Sequence, residues 1–260
     1  MSAPIVRLGI RVRADRAELA LADLLPLLAD GAEERSVDGD VEFSMYAPAG
    51  ELPSADAIRA LAGDAVLDVV TETVPDGWEQ RWHEFLRPVR VGPLVVRPPW
   101  VAGGDGDLVI DPGLCFGAGT HPTTRLCLAL LQELEPGGAL CDWGAGTGVL
   151  AVAAARLGWA PVTAVETDSA AIPVIERNAA LNGVSVRALR GDVARAAPWA
   201  PVVVANLTRP LLLDLALERR PDVLIASGML AEEVDEVVRA LGMRERRHAE
   251  EGDWAAVVLA

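Results

Sequence analysis

Lysine is absent from this 260-residue chain; all 23 basic residues are arginine, and they face 38 acidic residues for a formal charge of -15. The sequence pI is near 4.6. A surface this acidic repels phosphate, which excludes a non-specific nucleic-acid binder and favours a basic partner. Cysteine and histidine are scarce, three of each. Cys115, Cys127 and Cys141 are odd in number and lack metal-ligand spacing, so neither a disulfide framework nor a metal site is expected. Long apolar runs are missing too. The mean hydropathy of +0.27 comes from scattered Ala, Val and Leu, with no run near the ~20 residues that span a bilayer. Residues 1–16 alternate apolar and charged side chains and lack a signal-peptide core. What remains is a soluble, cytoplasmic protein whose 51% hydrophobic content supplies a substantial core.

The N-terminal pattern reads as strand 5–12, helix 15–29 bent or shortened by Pro26, and strands 32–37 and 40–47 joined by Asp38-Gly39. A helix from Ser54 to Leu61 and a strand over 65–74 complete a β-α-β-β-α-β order, that of a split βαβ, ferredoxin-like α+β domain over residues 1–75. Residues 76–104 differ in kind. Prolines punctuate a segment that holds Trp78, Trp82, Phe85 and Trp100, which is expected to be an ordered interdomain linker, packed as a strap or as a wall of the active site. From 105 to 260 strands and helices alternate. Helices are expected at 123–134, 149–157, 170–182, 211–217 and 231–241. Strands are expected at 139–142, 162–166, 185–190, 202–205, 223–226, 243–247 and 254–259. Such alternation predicts an α/β, doubly wound, mostly parallel sheet with ligands at the carboxyl ends of its strands.

The sharpest local signal is Asp142-Trp143-Gly144-Ala145-Gly146-Thr147-Gly148, leaving a strand and entering a helix. Gly144 and Gly146 allow close backbone approach, and the helix N-terminus offers unpaired N–H groups. The third glycine is Gly148, one residue earlier than a dinucleotide fingerprint requires, so a smaller nucleoside ligand fits better. Glu166 ends the next strand, where it can accept from ribose hydroxyls. Asp192, in Gly191-Asp192-Val193, ends the following strand and can accept from an adenine amino group. Each of these acids is also a natural strand-end cap, but their succession favours a cofactor site. Asn206-Leu207-Thr208-Arg209-Pro210 follows the next strand. The Asn206 amide can receive an amine's N–H bonds, the plainer alternative being an Asn satisfying its own turn.

The combination of glycine turn, acidic strand end and Gly-Asp resembles the class I S-adenosylmethionine-dependent methyltransferases. The loop Asp111-Pro112-Gly113-Leu114-Cys115-Phe116-Gly117-Ala118-Gly119-Thr120-His121-Pro122-Thr123-Thr124 is more distinctive, with Thr123 or Thr124 expected to cap the helix it enters. Together with Trp78-Glu79-Gln80-Arg81-Trp82, Phe85-Leu86-Arg87-Pro88 and Pro98-Pro99-Trp100 upstream, and Ser227-Gly228-Met229-Leu230 and Glu251-Gly252-Asp253-Trp254 downstream, it is similar to the bacterial ribosomal protein methyltransferases of the PrmA family. The resemblance spans the chain, weakest over 1–75 and strongest over 78–154.

That resemblance implies a Rossmann-like seven-stranded methyltransferase domain over 105–260, S-adenosylmethionine as cofactor with S-adenosylhomocysteine as product, and residues 1–75 as the substrate-recognition domain. It implies transfer of methyl groups to lysine side chains and the α-amine of the eleventh large-subunit ribosomal protein, free or on the ribosome, by a monomer. It places Thr124, Gly144, Glu166 and Asn206 at cofactor-contacting positions, beside Asp142, Gly146, Gly148 and Asp192. Phe116, His121 and Thr123 fall in the loop that closes over cofactor and acceptor. The chain departs from the family in carrying Gly117-Ala118-Gly119 for the usual Gly-Thr-Gly and Glu166 for the usual aspartate. Asn206 is the expected amine acceptor, assisted by the Leu207 backbone, while His121 either relays a proton or holds the loop. A different protein-lysine target and a small-molecule N-methyltransferase remain alternatives.

Overall fold

Val6, Leu8, Ile10 and Val12 alternate with Arg7, Gly9 and Arg11, so that one face of a strand can be buried and the other left polar. The computed structural model describes residues 5–24, 27, 33–48, 50, 52–73, 86–113, 115–196, 198–215 and 219–260. In it those four apolar side chains are buried, and the strand is β1 (Ile5–Val12). The chain divides into two compact units, residues 1–83 and 84–260.

The first unit continues with α1 (Ala17–Leu24), β2 (Glu33–Val37), β3 (Asp40–Pro48), α2 (Ala55–Ala62) and β4 (Val66–Thr73). The sheet order is β2-β3-β1-β4, every pair antiparallel, which is the ferredoxin-like arrangement. Asp38 and Gly39 both have positive φ, 53° and 89°, as a two-residue hairpin turn that follows the strands' twist requires. Ser54 caps α2 by accepting from Ala57 N–H at 3.2 Å. Leu8, Ile10, Leu24, Phe43 and Ile58 form the core between sheet and helices. Of the expected helix over 15–29, Asp15 and Arg16 lie in a 3-10 turn, α1 runs to Leu24, and beyond it only Leu27, in a turn, is among the described residues.

In the second unit, β5 (Val89–Val91) and β6 (Leu94–Arg97) form an antiparallel hairpin, with β7 (Leu108–Val109) parallel to β6. Val91, Val96, Leu108 and Ile110 join this unit's core. Part of the segment read as a linker is thus a strand pair of this unit. Its alternation is only three or four residues long and is broken by Pro88, Pro93 and Pro98. Trp78, Trp82 and Phe85 lie outside the described residues.

The main sheet is built from β8 (Leu140–Trp143), β9 (Val162–Glu166), β10 (Arg187–Arg190), β11 (Val202–Asn206), β12 (Val223–Leu230), β13 (Glu245–Glu251) and β14 (Trp254–Leu259), in the order β10-β9-β8-β11-β12-β14-β13. All neighbours are parallel except β14, which is antiparallel to both β12 and β13. The helices are α3 (Pro122–Glu133), α4 (Val149–Leu157), α5 (Ala171–Leu181), the short α6 (Val193–Ala196) and α7 (Arg209–Asp214), and α8 (Val234–Leu241). Both sheet faces are covered: Val202 and Val204 belong to one core with α3, α4 and α5, and Val203 and Ala205 to the other with α7 and α8. A strand buried on both sides reads as a continuous apolar run, which explains Val202–Ala205. Strand β12 runs past its expected end at Ala226, through a register shift between Ser227 and Met229. Crossovers leave β8 toward β9 and β11 toward β12, so a crevice opens at the carboxyl ends of β8 and β11.

Candidate active site

Strand β8 delivers Asp142 and then the glycine turn. Gly144 and Ala145 both donate their N–H groups to Val165 O, at 2.9 and 3.0 Å, which ties the turn to β9. Gly146 donates to Glu166 Oε2 at 2.9 Å, while Glu166 Oε1 accepts from Thr167 N–H at 2.7 Å. Gly146 has φ 52°, and a Cβ there would stand 2.5 Å from the Phe116 carbonyl oxygen. This glycine is needed for the loop that crosses the turn as well as for any ligand. Gly148 sits at the N-cap of α4 in the left-handed region.

Asp142 is fully buried. Its Oδ2 accepts from Ala151 N–H at 3.0 Å, which fastens β8 to the first turn of α4. Its Oδ1 is buried without a partner among the described residues. Burial first, and then the charge of Glu166, push its pKa up to about 7. Asp192 has a more local occupation. One carboxylate oxygen accepts from Ala194 N–H at 3.0 Å and the other pairs with Arg195 at 3.2 Å. It caps α6 and stays 44% exposed.

From the other side of the crevice, β11 brings up Asn206, whose amide nitrogen donates to Thr124 Oγ1 at 3.4 Å. Thr123 and Thr124 are both buried, but neither caps α3. The cap is His121, whose Nδ1 accepts from Thr123 N–H at 3.4 Å and lies 2.8 Å from the Thr123 hydroxyl. The expected threonine cap is therefore displaced by two residues, because Pro122 takes the first helical position, where no N–H is needed. Burial, and then Arg125, lower the His121 pKa against an opposing pull from Glu251. The imidazole is held neutral, with Nδ1 as its acceptor nitrogen.

The His121 ring lies edge-on between Phe116 and Trp254, with centroids at 5.5 and 4.9 Å. Arg125 pairs with Glu251 and donates to the Thr120 carbonyl, joining the loop's end to the β13–β14 hairpin. Leu207 N–H donates to Ser227 O at 3.0 Å, and its carbonyl lies so close to Gly228 that a Cβ there would collide with it. The structure thus gathers Asp142, Gly144, Gly146, Gly148 and Glu166 into one connected turn, and Phe116, His121, Thr123, Thr124 and Asn206 beside it. Asp192 stands at the next strand end, with its oxygens engaged locally.

Two residues that sequence reading missed hold these parts together. Asn178, fully buried on α5, accepts from Asp111 N–H at 2.9 Å and donates to Asp111 O at 3.0 Å and Thr147 O at 2.9 Å. The Thr147 hydroxyl donates to Gly117 O at 2.8 Å. The available signal was the pair Asn178 and Asn182, one turn apart on the apolar face of a helix, where asparagine is a poor helix former and needs partners when buried. Among the described residues, no group of three or more His, Cys, Asp or Glu side chains is placed to hold a metal ion, and no helix is long and apolar enough to cross a membrane.

Comparison with known proteins agrees with this geometry. The family described as ribosomal protein L11 methyltransferase (PrmA) matches residues 51–260. The ribosomal protein L11 methyltransferase of Pelotomaculum thermopropionicum is 40% identical over 263 residues, covering 92% of this chain and 81% of that protein. Its counterpart from Thermus thermophilus is 35% identical over 249 residues, covering 90% and 93%. A solved structure, the ribosomal protein L11 methylase of Lactobacillus delbrueckii subsp. bulgaricus, is similar with a TM-score of 0.60 at 25% identity, over 66% of this chain and 97% of that one.

Proposed function

The chain belongs to the ribosomal protein L11 methyltransferase (PrmA) family, and from that premise we propose that it transfers methyl groups from S-adenosylmethionine to amino groups of ribosomal protein L11. The observation that carries this reading is the crevice in which an acid-lined glycine turn on β8 and β9 meets Asn206 on β11.

The residues fit the cofactor. Its ammonium, ribose hydroxyls and adenine amino group are hydrogen-bond donors, and the strand ends supply acceptors: the unpartnered Oδ1 of Asp142, then Glu166, then Asp192. When bound, the cofactor supplies an electrophilic methyl group on a sulfonium. Asn206 would orient the acceptor. Its Nδ2 is spent on Thr124, which leaves Oδ1 to accept an amine N–H and aim the lone pair, with the Leu207 carbonyl as a second acceptor beside Gly228. Free lysine titrates near ~10.4, so the site must favour the neutral amine. Apolar surroundings and a neighbouring positive charge both do so. Orientation then contributes more than a strong base. His121, with Nδ1 committed to Thr123, holds the loop and helix in place.

Residues 1–75 are assigned to target recognition, and 105–260, together with the β5–β6 hairpin that packs into the same unit, to catalysis. The charge of -15 supports attraction of a lysine-bearing substrate, taken either free or on the ribosome by a monomer acting in the cytoplasm. Incubating the protein with S-adenosylmethionine and purified L11, and in parallel with large ribosomal subunits, tests the reading by intact mass. L11 should gain whole methyl units. An unchanged L11 mass beside methylation of another protein in a cell extract would overturn the target.

A further inference from the structure

Thr147 and Asn178 touch neither the proposed amine acceptor nor the acidic strand ends, yet they hold the backbone on both sides of the loop before α3, at Asp111 and at Phe116 and Gly117. At one end, Asn178 closes a two-way pair with the Asp111 backbone, through Asp111 N–H at 2.9 Å and Asp111 O at 3.0 Å. At the other, Thr147 donates its N–H to Phe116 O at 3.0 Å and its hydroxyl to Gly117 O at 2.8 Å. A fifth bond, Asn178 Nδ2 to Thr147 O at 2.9 Å, joins the two anchors. Thr147 and Asn178 are both wholly inaccessible to solvent.

We propose that Thr147 and Asn178 are positioning residues that latch Asp111 and the Phe116–Gly117 backbone onto the glycine turn, so that S-adenosylmethionine meets a preformed site. The inference rests on the cofactor reading given above. Thr147 lies between Gly146 and Gly148 in the turn itself, and the carbonyl it holds, that of Phe116, is the atom facing the missing Cβ of Gly146. Loosening the latch frees the turn and the loop together. The ordering lost in this way must be restored when the cofactor binds, which weakens binding without touching the amine acceptor.

The same helix carries its own control. Asn182 pairs with Val109 through N–H and C=O, at 2.9 and 2.6 Å, and bonds Asn178 O at 2.7 Å. It repeats the chemistry of Asn178 one turn further on and makes no bond to the glycine turn. Asn182→Ala should lower the melting temperature and leave the KM for S-adenosylmethionine unchanged.

Thr147→Val keeps the shape and deletes the hydroxyl, whereas Thr147→Ser keeps the hydroxyl. With L11 as substrate, Thr147→Val and Asn178→Ala should raise the KM for S-adenosylmethionine and the Kd for S-adenosylhomocysteine about tenfold, the effect of one or two buried hydrogen bonds. The kcat at saturating cofactor and the KM for L11 should stay within about twofold, and Thr147→Ser should restore cofactor affinity. Variants that melt earlier with unchanged cofactor KM overturn the latch and leave the cofactor reading intact. Failure of the wild-type protein to bind S-adenosylhomocysteine overturns both. A test without variants follows from reciprocity. Cofactor product added to the wild-type protein should slow hydrogen exchange at the Asp111 and Thr147 amides more than at the Val109 amide. Equal slowing at all three overturns the proposal.

Discussion

The amide nitrogen of Asn206 donates to the hydroxyl of Thr124 at 3.4 Å, joining the end of β11 to the first turn of α3. The bond selects which end of the amide faces the crevice, because a side chain that donates at one end presents its oxygen at the other. Asn206→Ala should lower kcat at least ~100-fold through lost orientation, with the Kd for S-adenosylhomocysteine changed no more than about threefold. Single-turnover methylation of L11 combined with calorimetry reads both quantities. Full activity in the variant would remove Asn206 from the mechanism.

His121 has a predictable pH signature. Its folded-state pKa lies below the ordinary value through burial and Arg125, so the unfolded chain binds the proton first as pH falls. Stability from this group is complete above ~6.5 and is lost as pH falls from there toward the folded-state value. His121→Asn keeps a side-chain acceptor at the N-cap and should flatten that slope while retaining near-normal turnover. His121→Ala should cost ~1 kcal/mol of stability. Thermal melts across acid pH and a pH–rate profile check this, and loss of the acid limb of the profile in His121→Asn would restore a proton-relay role.

Asp142 gives the opposite sign. Its folded-state pKa, raised to about 7, exceeds the ordinary ~3.9 of an unfolded aspartate. The folded protein therefore holds the extra proton between those values, and this contribution to stability falls as pH rises from ~4 to ~7. Asp142→Asn should abolish that slope in the cofactor-free protein and weaken cofactor binding. An unchanged slope in denaturant titrations of the variant would assign the pH dependence elsewhere.

The features legible in the sequence are those whose partners are close along the chain. The Asp38-Gly39 turn and the Ser54 cap each depend on contacts within three residues. The order of the acidic strand ends follows from alternation of strands and helices, so Asp142, Glu166 and Asp192 could be placed at successive carboxyl ends before any coordinates. Local reading failed where local rules compete. The hairpin of β5 and β6 is hidden among prolines, and the α3 cap belongs to His121 because Pro122 shifts the start of the helix.

Sequence alone therefore determined the order of strands and helices, the glycine turn and the family, since periodicity, turn chemistry and motif spacing are properties of short stretches of chain. Tertiary structure alone decided which residues become partners. Gly146 faces the Phe116 carbonyl, Asn206 reaches Thr124 across the sheet, and Asn178 reaches Asp111 and Thr147. A buried polar group must find a partner wherever the fold brings one within about 3 Å, and that proximity is set by packing of whole elements, which no local pattern encodes.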